Sequence, residues 1–418
     1  MPPQPFEKPI YVTKPFLPPM EEFVSGLAEI WDNHWLTNDG PVLRRFEGLL
    51  SNFFETENIC LFNNGTLALQ IGLQGMGISG EVITTPFTFV ATAHSLFWNK
   101  IRPVFVDIEP DYYTIDPGAV EAAITPWTTA ILGVHVYGFP CRLQSLADIA
   151  RRHDLTLIYD AAHAFGVDIA GRPICHFGDM SMFSFHATKL YHSIEGGMLT
   201  FRDSGLKGTF DYLKNFGFKN ETEVVMPGTN AKMNEMQALM GSLVLGHMRT
   251  LIDRSRAIDS AYRDCLKDVP GIRFPQPLPE NVSYNYAYQP VEIEEAEYGM
   301  SRDDLYNALK EFNINTRRYF YPVLCDFPCF RALAVRDGLE TARTVSSRIL
   351  CLPIYPDLPV SDVERICDAI KWLHASSRTH SAGLSTVDPM SPDFVYSGEI
   401  STNRGGSESL DMAGPKYV

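Results

Sequence analysis

The sequence lacks any uninterrupted apolar run of the roughly 20 residues that a membrane-spanning helix requires. Its first residues have neither the basic nor the apolar segment of a secretory signal, so we expect a cytoplasmic protein. Positive charge is scarce, because 35 Lys and Arg stand against 50 Asp and Glu and leave a net charge of −15. Nucleic acid and anionic membranes need clustered Lys and Arg, so we expect neither as a partner. A local phosphate site made of backbone N–H groups remains compatible with an acidic chain.

The eight cysteines also lack the paired spacing of a zinc or iron–sulfur site, and we expect no metal. Cys325 and Cys329 are close enough in sequence to leave a redox role open. Buried thiols are the simpler interpretation for most of the eight.

The chain alternates short apolar runs with helix-length segments between about residues 81 and 201, which predicts an α/β sheet covered on both faces. The predicted strands are 82–85, 103–107, 130–136, 155–160, 180–185 and 198–201. Apolar residues at three-to-four spacing predict helices at 20–31, 43–54, 67–73, 232–256, 301–312 and 361–373.

The chain is long enough for two lobes. We expect residues 1–250 to form a large domain with a mostly parallel sheet, and residues 251–375 to form a smaller α+β domain that includes a strand near 287–293. Residues 376–418 are rich in Ser, Gly, Pro and Asp and show no hydrophobic period. Such a segment cannot bury enough apolar surface to offset its ordering entropy, so we predict a disordered tail.

Two strand ends carry residues suited to chemistry. Asp160 opens the segment Asp-Ala-Ala-His, which ends in His163, where one apolar strand runs out. Ligands of α/β sheets bind beyond the carboxyl ends of the strands, although Asp is also a common helix N-cap. Lys189 follows the next strand in the segment Ser-Phe-His-Ala-Thr-Lys that begins at Ser184. Lysine is rarely buried without a role, so this position points to chemistry.

An enzyme that uses pyridoxal phosphate (PLP) needs this combination. Its lysine forms an imine with the cofactor aldehyde and then acts as a base, while a carboxylate keeps the pyridine nitrogen protonated. A phosphate cup is also needed. Asn64, Gly65 and Thr66 precede a predicted helix, where N–H groups and the helix dipole favour an anion. Taken alone, this segment is equally an ordinary N-cap.

Seven segments in this order resemble the PLP-dependent sugar aminotransferases of the DegT/DnrJ/EryC1/StrS group, over about residues 10–373. The segments are 35–38, 64–66, 85–92, 160–163, 184–189 with 195–197, 228–233 and 317–322. The resemblance implies the aspartate aminotransferase fold, that is, fold type I of the PLP-dependent transferases.

The resemblance also implies roles for single residues. Lys189 forms the covalent link to PLP, and Asp160 pairs with the pyridinium nitrogen. Around them, Phe89 stacks on the ring, His163 lies near the 3-oxygen, and the phosphate is held by Gly65, Thr66 and Ser184. For Phe89, a place in the core is the alternative. Asn230 reaches the phosphate of the neighbouring subunit, which implies a homodimer with shared active sites.

The implied reaction is transamination, in which L-glutamate gives its amino group to PLP and then to a ketone on a nucleotide-linked deoxysugar. Both substrates are anions, and the implied substrate-binding residues are Thr37, Asn38, Arg317, Arg318 and Tyr319. The planar guanidinium suits carboxylates and phosphates, with solvated loop arginines as the alternative.

The lysine segment and Arg317-Arg318-Tyr319-Phe320-Tyr321-Pro322 together resemble the branch that aminates dTDP-4-keto-6-deoxyglucose to a dTDP-4-amino-4,6-dideoxyhexose. A 3-keto sugar, or a UDP- or GDP-linked 4-keto sugar, remains an alternative substrate. A sugar dehydratase of the same fold replaces the lysine with histidine, and a regulatory protein has no need of Lys189 and Asp160. The chain departs from the family at 323–326, where relatives carry His or Gln.

Overall fold

A computed structural model describes residues 2–331 and 338–383 of the 418-residue chain. The helices are α1 (Met20–Asn33), α2 (Pro41–Phe54), α3 (Gly65–Gly75), α4 (Val90–Trp98), α5 (Pro117–Ala123), α6 (Leu143–Arg152), α7 (Leu206–Leu213), α8 (Glu235–Leu266), α9 (Glu295–Tyr298), α10 (Arg302–Glu311), α11 (Glu340–Arg348) and α12 (Val360–Gly383). The strands are β1 (Ile10–Tyr11), β2 (Ile59–Phe62), β3 (Glu81–Thr84), β4 (Arg102–Phe105), β5 (Thr128–Val134), β6 (Thr156–Asp160), β7 (Asp168–Ile169), β8 (Arg172–Pro173), β9 (Met180–Ser184), β10 (Gly197–Phe201), β11 (Phe218–Asn220), β12 (Glu223–Val224), β13 (Ile272–Arg273), β14 (Val282–Ser283), β15 (Gln289–Ile293), β16 (Ile314–Asn315) and β17 (Ile349–Leu352).

A seven-stranded sheet in the order β2-β10-β9-β6-β5-β3-β4 forms the centre of the larger lobe. Neighbouring strands from β9 to β4 are parallel, whereas β10 runs antiparallel to both β9 and β2. Most residues of these strands are buried, since helices cover both faces of the sheet. The predicted α/β class with a mostly parallel central sheet is confirmed.

The six predicted strands are present, each within two residues of its expected ends. Sequence analysis missed β2, whose four buried residues form an apolar run too short to be assigned by its pattern. It also ended the long helix too early, because α8 continues to Leu266. Ile258, Tyr262 and Leu266 extend the buried stripe of α8 at helical spacing.

The smaller lobe is built on the antiparallel sheet β13-β15-β17. Its core combines that sheet with α10, α12 and the second half of α8, through residues such as Tyr262, Val291, Leu309 and Ile366. Strand β1 pairs in parallel with β16, so the N-terminal segment lies against this lobe.

Helix α12 continues to Gly383 and therefore includes residues 376–383, which we had assigned to the disordered tail. Residues 384–418, the rest of that predicted tail, lie outside the described residues. None of the helices in the described ranges combines the length and apolar character needed to cross a bilayer.

Candidate active site

A cavity of about 430 Å³ opens at the carboxyl edge of the central sheet. The ends of β6 and β9, the first turns of α3 and α4, and the loop after β16 contribute its walls. Ten of the residues that we predicted for the site line this one cavity: Gly65, Thr66, Phe89, Asp160, His163, Ser184, Lys189, Arg317, Arg318 and Tyr319.

Asp160 is the last residue of β6 and is buried, with 5% of its surface exposed. The hydroxyl of Thr92 donates to its Oδ2 at 2.7 Å, and the N–H of Ala162 donates to its Oδ1 at 3.1 Å. Burial raises the pKa of the carboxyl, while these two hydrogen bonds and the charge of Lys189 oppose that shift. The chain continues from Asp160 into turns, so this residue does not cap a helix.

A second threonine extends this arrangement. The hydroxyls of Thr88 and Thr92 are 2.9 Å apart, and both are buried. Because Thr92 gives its proton to Asp160, it can only accept from Thr88. The result is a directed chain of hydrogen bonds that runs from Thr88 through Thr92 to the carboxylate, and it favours the ionised form of Asp160.

Lys189 lies in the loop that follows β9, and its Nζ donates to the phenol oxygen of Tyr288 at 3.0 Å. Burial lowers the pKa of this lysine to about 8, and the charge of Asp160 opposes the shift. About a tenth of the amine is therefore neutral at pH 7, against less than about 0.1% for an ordinary lysine. Such an amine is available as a nucleophile and as a base.

His163 is buried beside Lys189, and its Nδ1 accepts the N–H of Tyr137 at 3.0 Å. Burial lowers the pKa of this histidine well below its usual value, and the nearby charge of Lys189 lowers it further. The ring is therefore neutral. Since Nδ1 accepts a hydrogen bond, the proton resides on Nε2, which is free to donate to a ligand oxygen.

The start of α3 forms a cup at one side of the cavity. Asn64 caps the helix by accepting the N–H of Leu67 at 2.8 Å. The N–H groups of Gly65 and Thr66 have no partner within the helix, as in any first turn. Gly65 packs closely on Ser184, because a Cβ at residue 65 would lie 3.1 Å from the serine Cβ. N–H groups, the hydroxyls of Thr66 and Ser184 and a helix N-terminus thus line one part of the cavity, which suits an anion such as phosphate.

Phe89 precedes α4 and is 48% exposed, so it is not a core aromatic. Phe89 lines the cavity, and its stacking on a ligand stays a prediction.

Arg317 and Arg318 are partly buried on the opposite wall, so neither is a solvated loop residue. The guanidinium of Arg318 forms a 2.8 Å ion pair with Asp303 and lies 4.6 Å from the ring centre of Tyr306. The backbone oxygen of Tyr319 accepts a short hydrogen bond from the hydroxyl of Tyr137. These contacts hold the loop at a fixed distance from the carboxyl edge of the sheet.

Three predicted residues lie outside the cavity. Thr37 and Asn38 are exposed, and Asn38 borders a separate surface cavity. Asn230 is also exposed, and its side-chain oxygen accepts from Lys232 Nζ at 2.9 Å. Within one chain, none of the three is among the residues that line the cavity around Lys189.

Cys325 and Cys329, for which a redox role was open, are both free thiols, one buried and one exposed. The structure thus shows no disulfide between them.

Sequence analysis gave no role to Thr88, Thr92 or Tyr288. The two threonines are four positions apart, but Thr88 precedes the N-cap of α4, so helical spacing does not account for their contact. Tyr288 lies 99 positions from Lys189, and only the packing of the two lobes brings it there.

Known proteins share the sequence pattern of this site. Residues 19–371 match the sequence profile of the DegT/DnrJ/EryC1/StrS aminotransferase family. The chain belongs to this family. It is 46% identical over 365 residues to the dTDP-4-amino-4,6-dideoxy-D-glucose transaminase of Shigella dysenteriae, covering 87% of this chain and 99% of that protein. It is 44% identical over 366 residues to the Escherichia coli transaminase of the same name, covering 86% and 97% of the two chains.

Solved structures agree with this assignment. DesI, determined in the presence of its TDP-sugar product, superposes with a TM-score of 0.86 at 36% identity, over 91% of this chain and 97% of DesI. DesV of S. venezuelae superposes with a TM-score of 0.79 at 31% identity, over 85% and 96% of the two chains. The family, the fold and the aminotransferase class expected from the sequence are confirmed.

Proposed function

We propose that this family member is a PLP-dependent transaminase of a nucleotide-linked 4-keto-6-deoxy sugar. L-glutamate is the amino donor, dTDP-4-keto-6-deoxy-D-glucose the acceptor, and a dTDP-4-amino-4,6-dideoxyhexose the product. One observation carries the proposal: a buried carboxylate, an amine of lowered pKa and a helix N-terminus line the same cavity. The names of the Shigella dysenteriae and Escherichia coli relatives support the choice of sugar.

The residues of the cavity fit PLP. Among the described residues, no cation forms a hydrogen bond with the buried Asp160 carboxylate, and a protonated pyridine nitrogen would supply one. The first turn of α3 with Ser184 suits the phosphate, and the half-exposed ring of Phe89 offers a stacking face. When bound, PLP provides an electron sink for the carbon that carries the amino group.

Lys189 does the proton chemistry in this proposal. With PLP bound, its neutral amine would hold the cofactor aldehyde, and the same amine would take and return the proton that a transamination moves. A pKa of about 8 leaves about a tenth of the amine neutral at pH 7, which suits a group that must both take and return a proton. With PLP bound, His163 would donate its Nε2–H to the oxygen on the ring, and its neutral state avoids a second cation beside Lys189.

Arg317 and Arg318 supply the positive charge for the glutamate carboxylates and the sugar diphosphate. Asp303 forms an ion pair with Arg318 and also accepts a hydrogen bond from the buried Arg302 at 2.8 Å. This anchoring leaves the rest of the Arg318 fork for a ligand and lowers the ordering cost of binding.

We further propose a homodimer in which Asn230, Thr37 and Asn38 complete the site of the neighbouring subunit. All three are exposed and lie outside the lining of their own cavity, and large apolar side chains flank them. Trp35 and Leu36 are 45% and 55% exposed, and Phe216 and Phe218 are 46% and 43% exposed. Exposed apolar residues grouped in this way are typical of a subunit interface.

Complementation tests the shared site. Lys189→Ala and Asn230→Asp are each expected to lose most of the activity. In an equal mixture that exchanges subunits, half of the dimers are mixed and hold one intact site, so activity should recover to about a quarter of wild type. No recovery after verified exchange would show that Lys189 and Asn230 of the same chain serve one site, which would contradict the shared site.

A spectroscopic assay tests the reaction itself. The PLP-loaded protein should show a visible absorption band that disappears on addition of glutamate and returns with the correct keto sugar. A panel of dTDP-, UDP- and GDP-linked 3-keto and 4-keto sugars, with products identified by mass and NMR, assigns the substrate. If glutamate, glutamine and aspartate all leave the band unchanged, the protein is not a transaminase of this kind.

A further inference from the structure

We propose that Tyr288 is a positioning residue, whose phenol oxygen fixes the orientation of the Lys189 amine in the catalytic cavity. The inference rests on the proposed function, because it concerns the lysine that the transamination uses. Tyr288 belongs to the smaller lobe, immediately before β15, whereas Lys189 belongs to the larger one.

The phenol oxygen is itself held in place. Tyr288 is 7% exposed, and its ring packs on His163 at 4.6 Å and on Tyr137 at 5.6 Å between ring centres. The following strand, β15, is paired with a strand on each side. A hydrogen-bond acceptor mounted in this way has little freedom, so its partner adopts the direction that it sets.

The contact matters because of the shape of a primary amine. Nζ rotates about the Cε–Nζ bond, and its lone pair is the part that attacks an aldehyde or takes a proton. Once one N–H points at Tyr288, at 3.0 Å, rotation stops and the lone pair is confined to the remaining directions. Asp160 also acts on the amine, but in the described structure it does so through its charge, without a hydrogen bond.

Other charged or titratable groups face the same cavity. Asp160 and His163 lie nearest to the amine and interact with its charge. The rest of the wall carries His186, Glu195, Arg317, Arg318, Tyr306 and Tyr319. A Tyr288→Phe variant keeps all of these groups and removes one oxygen, so a change in the behaviour of Lys189 can be assigned to the lost contact.

The test compares Tyr288→Phe with a matched control, Tyr113→Phe. Tyr113 is a buried tyrosine that packs on Tyr137, and its hydroxyl bonds Glu292 at 2.7 Å without reaching Lys189. Apoprotein is mixed with PLP between pH 6 and 10, and the rate of covalent capture is followed by absorbance. Borohydride trapping and peptide mass verify that Lys189 is the residue modified.

In wild type the capture rate should rise with pH through about 8, where Lys189 loses its proton. In Tyr288→Phe we expect a midpoint about one pH unit lower, because the ammonium form loses a stronger hydrogen bond than the neutral amine does. We also expect the plateau rate and kcat to fall about tenfold, since the lone pair is no longer directed, with the KM for glutamate changing less than about twofold. Tyr113→Phe should leave the midpoint and the plateau unchanged.

Tyr288→Leu also lacks the oxygen and gives a second variant in case the phenylalanine substitution disturbs folding. It should shift the midpoint in the same direction. A folded Tyr288 variant with the wild-type midpoint and plateau, or shifts that Tyr113→Phe reproduces, would overturn the inference. Wild-type protein that captures PLP at Lys189 but does not react with any amino donor would instead count against the proposed function.

Discussion

Thr92→Val removes the hydroxyl that donates to Asp160 while keeping the shape of the side chain. In the wild-type structure this hydroxyl is 2.7 Å from Oδ2, and its own acceptor capacity is used by Thr88. The substitution therefore leaves Asp160 with the Ala162 N–H at 3.1 Å as its remaining hydrogen bond from the protein in the described structure. Burial of the carboxyl is unchanged.

The size of the effect follows from the kind of bond lost. A short hydrogen bond to an ionised group contributes about 1.5–3 kcal/mol, and one pH unit corresponds to about 1.4 kcal/mol. The pKa of Asp160, already raised by burial, should therefore rise by a further 1–2 units or so. A protonated Asp160 cannot stabilise a pyridinium, so affinity for PLP falls as the pH drops through this pKa.

The assay is the dissociation constant of PLP between pH 5 and 9, measured by fluorescence or absorbance. We expect the acid limb of the Thr92→Val profile to move upward by about 1–2 pH units relative to wild type. Ser95→Ala is the control, because its buried hydroxyl bonds the Thr92 carbonyl at 2.8 Å without touching Asp160, and its profile should match wild type. A folded Thr92→Val protein whose acid limb coincides with wild type would refute this reasoning.

Three further substitutions test other parts of the site. Lys189→Met should raise the free energy of unfolding of the apoprotein at pH 7 by up to about 3 kcal/mol, and the gain should vanish toward pH 10.5. Lys189 destabilises the folded protein because its lowered folded-state pKa lets the unfolded chain bind more protons between about pH 8 and 10.5. If denaturant titrations give a constant difference in unfolding free energy across this range, the prediction is wrong. Gly197→Ala places a Cβ 2.6 Å from the backbone that enters α3. The dissociation constant for PLP should therefore rise about tenfold. Unchanged binding would show that the first turn of α3 can shift freely. Arg318→Lys should raise the KM for the nucleotide sugar about tenfold and leave kcat nearly unchanged. The reason is that an ammonium cannot pair with Asp303 and also form a bidentate contact with a ligand. An equal fall in kcat would place Arg318 in the chemical step instead.

The central sheet was predictable because parallel strands buried on both faces appear as apolar runs between helix-length segments. This pattern did not reveal β2, which is short and lies beyond the antiparallel strand β10. The end of α8 was also missed, because charged residues surround a sparse buried stripe there. The predicted start of the C-terminal tail was wrong for a different reason. Composition alone suggested a tail from residue 376, but α12 continues to Gly383, and Ser377 bonds the carbonyl of Tyr298 at 3.3 Å.

Some residues of the site could likewise be predicted from the sequence and others could not. Asp160 and Lys189 could be predicted because each stands next to its own strand end, so the local sequence determines where it lies. Tyr288 could not, because its contact with Lys189 depends on how one lobe packs on the other. The chain of hydrogen bonds through Thr88 and Thr92 could not be predicted either, because its direction depends on the position of Asp160.

Burial shifts the two central groups of the cavity toward neutrality, since it raises the pKa of Asp160 and lowers that of Lys189. Without a ligand, the fold bears the cost of both shifts, and the remaining attraction between the two charges only partly offsets it. A ligand that brings a cation to Asp160 and an aldehyde to Lys189 relieves both costs at once, because the carboxylate gains a partner and the amine is bound in its neutral form. An aldehyde without the ring nitrogen relieves only one. If the proposed function is correct, the same burial therefore contributes to selectivity for a pyridine aldehyde, and the helix cup adds a place suited to a phosphate.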